Sequence, residues 1–221
     1  MKKRASAAHN KFGISGVAPG MRLISIKVLK ERKDSHEGEG TAATVARGVD
    51  FALQAGSQVI NLSFGAPQLD PQLNRAIDEA VKRGVVVVAA AGNGGPRGRA
   101  MYPAAMGEVI AVSAVDVDNS FYVDGTAGDY IDLAAPGVNI ISTTPDNSFD
   151  YTSGTSQAAA HVTGVVALLL EKRPHTSPKR IRDVLENNSL DLGARGKDKQ
   201  FGSGLVDAYK ALEALVASSR N

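Results

Sequence analysis

Gln58-Val59-Ile60-Asn61-Leu62-Ser63-Phe64, followed by Pro71 to Gly84 and then by Val85-Val86-Val87-Val88-Ala89-Ala90-Ala91, is the stretch that decides the fold. Two runs of strand character flank a segment in which Leu73, Ile77, Ala80 and Val81 recur at helical spacing, with Gly84 as a stop. Apolar runs this continuous fit strands covered on both faces, so the unit reads as strand, crossover helix, parallel strand. The alternation extends upstream. Arg22 to Leu29 reads as another strand, and Thr41 to Gly56 carries Val45, Val49, Phe51, Ala52 and Leu53 as the apolar stripe of a second crossover helix. Downstream, strands are expected at Val109 to Val115, around Ile131 to Ala134 and at Ile140 to Thr143, with a turn at Ala135-Pro136-Gly137. Thr155 to Lys172 is apolar nearly all round, which predicts a buried helix ended by Pro174. Helices are also expected over Pro178 to Asn187 and Val206 to Ala217. The fold class is therefore α/β, a three-layer sandwich with a mostly parallel central sheet.

The 221 residues fit one domain spanning positions 1–221, and 43 % hydrophobic with 22 % charged residues is ordinary globular usage. Net charge is +2, and the basic residues scatter except at Lys2-Lys3-Arg4, Lys30 to Lys33 and Lys179 to Arg182. No face declares itself a phosphate-binding surface, so nucleic acid is not expected as a partner. Nor is a membrane, since no apolar run reaches spanning length. The absence of cysteine excludes disulfides and thiolate metal sites. Met1 to Ala8 has the charge of a signal-peptide n-region but no apolar h-region after it, so the expectation is a chain without an export signal of its own.

Chemistry concentrates in Tyr151-Thr152-Ser153-Gly154-Thr155-Ser156-Gln157-Ala158-Ala159-Ala160-His161-Val162-Thr163-Gly164. A serine opening a buried, small-residue helix has free backbone N–H groups and the positive end of the helix dipole beside it, which suit the negative charge of acyl transfer. The segment alone equally allows Ser156 to be a helix cap. Val85 to Ala91 runs into Gly92-Asn93-Gly94, and Asn93 by itself reads as an ordinary turn asparagine. Gly92 to Gly98 lacks the spacing of a dinucleotide fingerprint.

Taken together these blocks resemble the subtilisin-like serine proteases, whose nucleophile motif is Gly-Thr-Ser, three small residues, His, Val, any residue and Gly. The chain departs from the commonest form at Gln157 and Ala160, neither of which touches the nucleophile. The resemblance continues through Gly16-Val17-Ala18-Pro19, Tyr102-Pro103-Ala104 to Asp116, Ala134-Ala135-Pro136-Gly137 and Gly202 to Ala208, so it covers nearly the whole chain in order. It implies the C-terminal two-thirds of a catalytic domain for peptide-bond hydrolysis, with Ser156 as nucleophile and the Asn93 side chain and Ser156 N–H as oxyanion donors. It further implies that Ser63-Phe64-Gly65 forms one rail of a substrate cleft, at the primary specificity pocket, and Gly38-Glu39-Gly40 the opposite rail. Ala91, Gly92, Gly154 and Thr155 would line the cleft with them. On the residues alone, Gly38 to Gly40 also fits a solvent loop. Peptide held between two such rails is a form of β-augmentation, so a peptide or protein substrate of broad sequence is expected.

The resemblance also shows what is missing. Acyl transfer needs a base and a carboxylate to orient it, and the family's Asp-Thr/Ser-Gly and His-Gly-Thr-His patterns do not occur here. Ser6-Ala7-Ala8 matches the last turn of the family's histidine helix. His161, five residues after Ser156, falls roughly 140° round the helix and faces away. His9, His36 and His175 have no aspartate arranged to orient them. The expected fold thus lacks the family's N-terminal strand and histidine helix, and the expected activity of the isolated chain is nil unless another chain supplies the missing part. The alternative is a non-catalytic peptide-binding module. No cofactor is expected: the family's calcium loop, here Ala8 to Gly16, is one residue shorter than its calcium-binding form. Most bacterial members are exported, which leaves the compartment of this chain open. In the family the aspartate strand lies between those matching Arg22 to Leu29 and Gln58 to Phe64. Without it, these two are expected to pair directly, joined by the right-handed crossover through helix 41–56.

Overall fold

The computed structural model describes residues 13–31, 38–144 and 148–217. Its centre is a parallel sheet in the order β3 (Val59–Leu62), β4 (Val86–Ala90), β5 (Ile110–Val115), β6 (Leu133–Pro136). Val59 pairs with Val86, Val88 with Ile110 and Val112 with Leu133. The period of two in a strand explains why the valine run suits its place. Val86, Val88 and Ala90 point into one hydrophobic cluster, while Val85, Val87 and Ala89 point into another on the opposite face. Every residue of β4 is buried, as a central strand with helices on both faces requires.

Two crossover helices, α1 (Ala42–Gln54) and α2 (Pro71–Lys82), cover one face. Thr41 caps α1 by accepting the Thr44 N–H at 3.1 Å. Asp70 caps α2 through the Gln72 and Leu73 amides, with Pro71 pre-set for the first turn. Gly84 ends α2 at φ +82°, a conformation that costs an L side chain energy. The long helix α3 (Thr155–Lys172) lies on the other face with α4 (Pro178–Asn187) and α5 (Ala208–Ala217). The three-layer α/β sandwich is as expected. Among the described residues no helix is long and apolar enough to cross a membrane.

Three expectations need correction. Arg22 to Leu29 is not a strand, and the proposed direct pairing with β3 does not form: β3 is the edge of the sheet, bonded to β4 alone. The alternation of Ile26 and Val28 serves instead to pack residues 26–28 on α1. There a Cβ added to Gly48 would stand 2.5 Å from Val28 Cγ1. Arg22 holds the segment's start, donating to the Ala55 carbonyl at 3.2 Å. Only beyond the segment does a strand begin, β1 (Lys30–Glu31), paired antiparallel with β2 (Gly38–Glu39). Second, a strand not expected, β8 (Ser148–Thr152), pairs antiparallel with the expected one, β7 (Ile140–Thr144), in a hairpin outside the central sheet. β8 escapes a hydrophobicity reading because only its cross-strand bonds, not burial, define it. Third, β6 starts at Leu133 and runs through Ala135 and Pro136, where a turn was expected; the chain bends at Gly137, whose N–H bonds to the Val115 carbonyl.

Candidate functional site

In a parallel sheet with helices on its faces, the carboxyl ends of the strands form the natural binding edge. Here β3 ends at Leu62 and β4 at Ala90, so Ser63 and Asn93 both leave the sheet at that edge, where α3 begins. Gly154, at φ +154°, is the residue before α3 and supplies no side-chain cap. Its N–H bonds to the Gly137 carbonyl at 2.7 Å, while the Ser156 amide has no acceptor among the described residues. This leaves a first-turn N–H available beside the Ser156 hydroxyl.

Asn93 is brought to the same helix start. Its Oδ1 accepts from both the amide and the hydroxyl of Thr155, each at 3.0 Å. The Thr155 hydroxyl in turn accepts the Gly92 N–H at 3.1 Å. With Oδ1 doubly occupied, Nδ2 is the group left to donate, and it lies against Gly154, where an added Cβ would stand 3.0 Å from it. Thr155 is only 1 % exposed and Ala91 is fully enclosed. The Thr155 and Ala91 side chains therefore back the site from within, and Gly154 beside them is enclosed as well.

The loop carrying Asn93 is itself fastened. The Gly92 carbonyl accepts the Thr126 N–H, and the Thr126 hydroxyl accepts the Gly94 N–H at 3.0 Å. Gly92 sits at φ +116°, and a Cβ there would stand 2.8 Å from Met101 Cγ. Tyr130 donates its phenol to the Ala91 carbonyl at 2.8 Å and accepts from the Met101 backbone. Burial pushes this phenol up to about 12 against the opposing Met101 bond, so it stays a donor at neutral pH.

Ser156 and Ser63 bond reciprocally. The Ser156 hydroxyl donates to the Ser63 carbonyl at 3.0 Å, and the Ser63 hydroxyl donates to the Ser156 carbonyl at 3.1 Å. Asn61 Nδ2 donates to the Ser63 hydroxyl at 2.9 Å, and Thr163 donates to Asn61 Oδ1 at 3.2 Å, which stitches α3 to β3. The expected rails face one cavity of about 430 Å³, with Gly38, Glu39 and Gly40 lining it together with Phe64 and Gly65. The second rail is pinned where Ala66 and Tyr102 exchange backbone bonds at 2.9 and 2.7 Å.

Neither described histidine approaches Ser156. His161 Nδ1 lies 3.0 Å from the Gln157 carbonyl on its own helix, and His175 follows the end of α3 at φ +66°. His9 and His36 lie outside the described residues, as does most of the short loop from Ala8 to Gly16. Among the described residues no group of three or more acidic or histidine side chains is placed to hold a metal. Sequence reasoning missed Asn61, Thr126, Tyr130 and Thr163. Their bonds reach across 32 to 102 positions, and no local pattern announces such contacts.

The Subtilase family profile matches residues 5–204. Subtilisin Savinase from Lederbergia lenta is 39 % identical over 206 residues, covering 93 % of this chain and 73 % of its own. The minor extracellular protease Epr of Bacillus subtilis is 36 % identical, with 93 % of this chain matched to 31 % of its own; for the M-protease of Shouchella clausii the chain spans 52 % of that protein. Among solved structures, fervidolysin from Fervidobacterium pennivorans, described as a keratinolytic enzyme related to subtilisin, superposes with a TM-score of 0.83 at 34 % identity. It covers 95 % of this chain and 35 % of its own. The S218A mutant of the PatA protease domain superposes at 0.84 with 26 % identity, over 97 % of this chain and 78 % of its own.

Proposed function

The chain belongs to the subtilase family, and we propose that it is the nucleophile-bearing part of a serine-type endopeptidase domain, inactive alone for want of a base. The observation that carries this reading is the single locus shared by Ser156, at the open first turn of α3, and Asn93, locked beside it by Thr155. In the proposed reaction the Ser156 hydroxyl attacks the scissile carbonyl carbon while a base takes its proton. Asn93 Nδ2 and the Ser156 N–H donate to the oxygen that becomes negative. Collapse of the intermediate expels the amine, which receives the proton, and water then hydrolyses the acyl-enzyme. Losing an asparagine donor of this kind costs ~3 kcal/mol in subtilisin itself, a value measured in the family and not obtained from this chain.

In the isolated chain the Ser156 proton is donated to the Ser63 carbonyl, which cannot serve as a base. A serine-directed fluorophosphonate probe is expected to leave Ser156 essentially unlabelled. Robust, saturable labelling would mean that a base is present after all, and would overturn the inactive reading.

One observation favours a second reading, a peptide-binding module without chemistry: both rails line one cavity that needs neither base nor nucleophile. Peptide binding unchanged by Ser156→Ala, with no hydrolysis by the parent chain, supports it.

A further inference from the structure

Gly65 follows β3 out of the sheet and Gly92 follows its neighbour β4. A Cβ added to Gly65 would stand 3.1 Å from Met101 Cβ, and one added to Gly92 would stand 2.8 Å from Met101 Cγ. For both glycines the nearest side-chain atom therefore belongs to Met101. Its side chain crosses the gap between the two strand ends, where neither glycine places a side chain of its own. The backbone sets that position. Tyr102, the next residue, exchanges both backbone bonds with Ala66, the Met101 carbonyl accepts the Ala105 N–H at 2.8 Å, and the Met101 backbone also bonds to the Tyr130 phenol. Cβ is fixed by that backbone, and only the atoms beyond it can swing.

The gap bears on which peptides fit. A peptide lying along Ser63 to Gly65, with its scissile carbonyl at Asn93 Nδ2 and the Ser156 N–H, carries the side chain of that carbonyl's own residue toward the space between Gly65 and Gly92. Met101 occupies the floor of that space. The atoms nearest to the two glycines come from Met101, Tyr102 and Thr126 and include no charged group. A gap walled by glycines and floored by a methionine excludes by volume, because filled space yields only when its neighbours shift. We propose that Met101 is a specificity-determining residue, which shortens the primary pocket so that it takes an apolar side chain of alanine size and rejects aromatic and acidic ones. The inference rests on the protease reading and deepens it by naming the class of substrate.

Binding tests this without hydrolysis. The probes are peptides of a fluorophore, Gly-Ala-Ala and a last residue that is alanine, phenylalanine or glutamate. Their terminal carboxylate accepts from Asn93 and Ser156 and so fixes the register. By anisotropy with the full chain, the alanine peptide should bind at least about tenfold more tightly than the other two. Met101→Ala removes the floor, so the phenylalanine peptide should gain at least about tenfold while the alanine peptide changes by less than about threefold. Met101→Leu keeps a floor of similar volume and should keep the parent's ranking. With isotope-labelled methionine methyls, the Met101 signal, identified by its loss in Met101→Leu, should shift when the alanine peptide binds. If Met101→Ala does not fold, the parent's ranking and that shift decide. Equal binding of the alanine and phenylalanine peptides by the parent, a ranking that Met101→Ala leaves in place, or an unmoved methyl would overturn the role of Met101 and leave the cleft standing. Failure of all three peptides to bind, or binding indifferent to Asn93→Ala, would instead overturn the protease reading, and the pocket with it.

Discussion

Leu168 and Leu169 are neighbours on α3 and face different parts of the molecule. Leu169 is fully enclosed with Val86, Ile110 and Ile181, beneath the finished part of the sheet. Leu168 is half-buried and lines a cavity beside β3. The same residue type on the same helix thus does two jobs, because Leu169 faces the paired strands and Leu168 the unpaired edge of β3. The finished half from β4 to β6 carries the helix start, the asparagine loop and the rail ends. The open half carries that unpaired edge.

The largest expected effect tests this contrast directly. Leu169→Ala should cost about 2–5 kcal/mol in denaturant unfolding, whereas Leu168→Ala should cost less than ~1 kcal/mol. Equal costs would mean that this cavity is closed in solution. Next comes the asparagine loop. Gly92→Ala forces a side chain into the left-handed region and against Met101, at about 1–3 kcal/mol, read as a loss in the same measurement. Tyr130→Phe removes one bond to the Ala91 carbonyl, worth about 1 kcal/mol. It also carries a pH signature. The Tyr130 phenol ionises near 10 when unfolded and about 12 when folded, so its contribution is intact below pH 10 and falls as pH rises toward 12. The phenylalanine variant should lack that component of the alkaline slope.

The smallest effect lies at the far side of the finished half. Burial, and then the charge of Asp132, raise the Glu186 carboxyl against the pull of Lys197. A raised carboxyl favours the folded state below its unfolded value of 4.5 and forfeits that advantage as pH rises through the folded value. Glu186→Gln should therefore flatten the stability profile over that window, by no more than ~0.5 kcal/mol. A steeper profile would show that the Lys197 pairing governs the site.

Much of this was legible in the residues. Pro71 to Gly84 and Val85 to Ala91 declare their elements by period and by punctuation, and α2 and β4 follow within two residues. Ser156 at a helix start and Asn93 after a buried strand were legible as separate features. Their meeting was expected through the family resemblance and not from either segment by itself, because the link is Thr155, whose hydroxyl bonds across 62 positions. The strand expected at Arg22 to Leu29 failed for a related reason: its alternation packs Ile26 and Val28 against α1, and the same local pattern serves for that packing as for pairing in a sheet.

The amino-acid sequence by itself determined the helices, the valine strand and the two chemically armed turns, since a helix satisfies its hydrogen bonds within a few residues and its caps are local. Tertiary structure alone decided which extended segments became strands, which side of β3 stayed open and where Nδ2 of Asn93 points. Strand pairing and side-chain bonds between distant turns belong to two segments at once, and neither segment encodes the presence of the other.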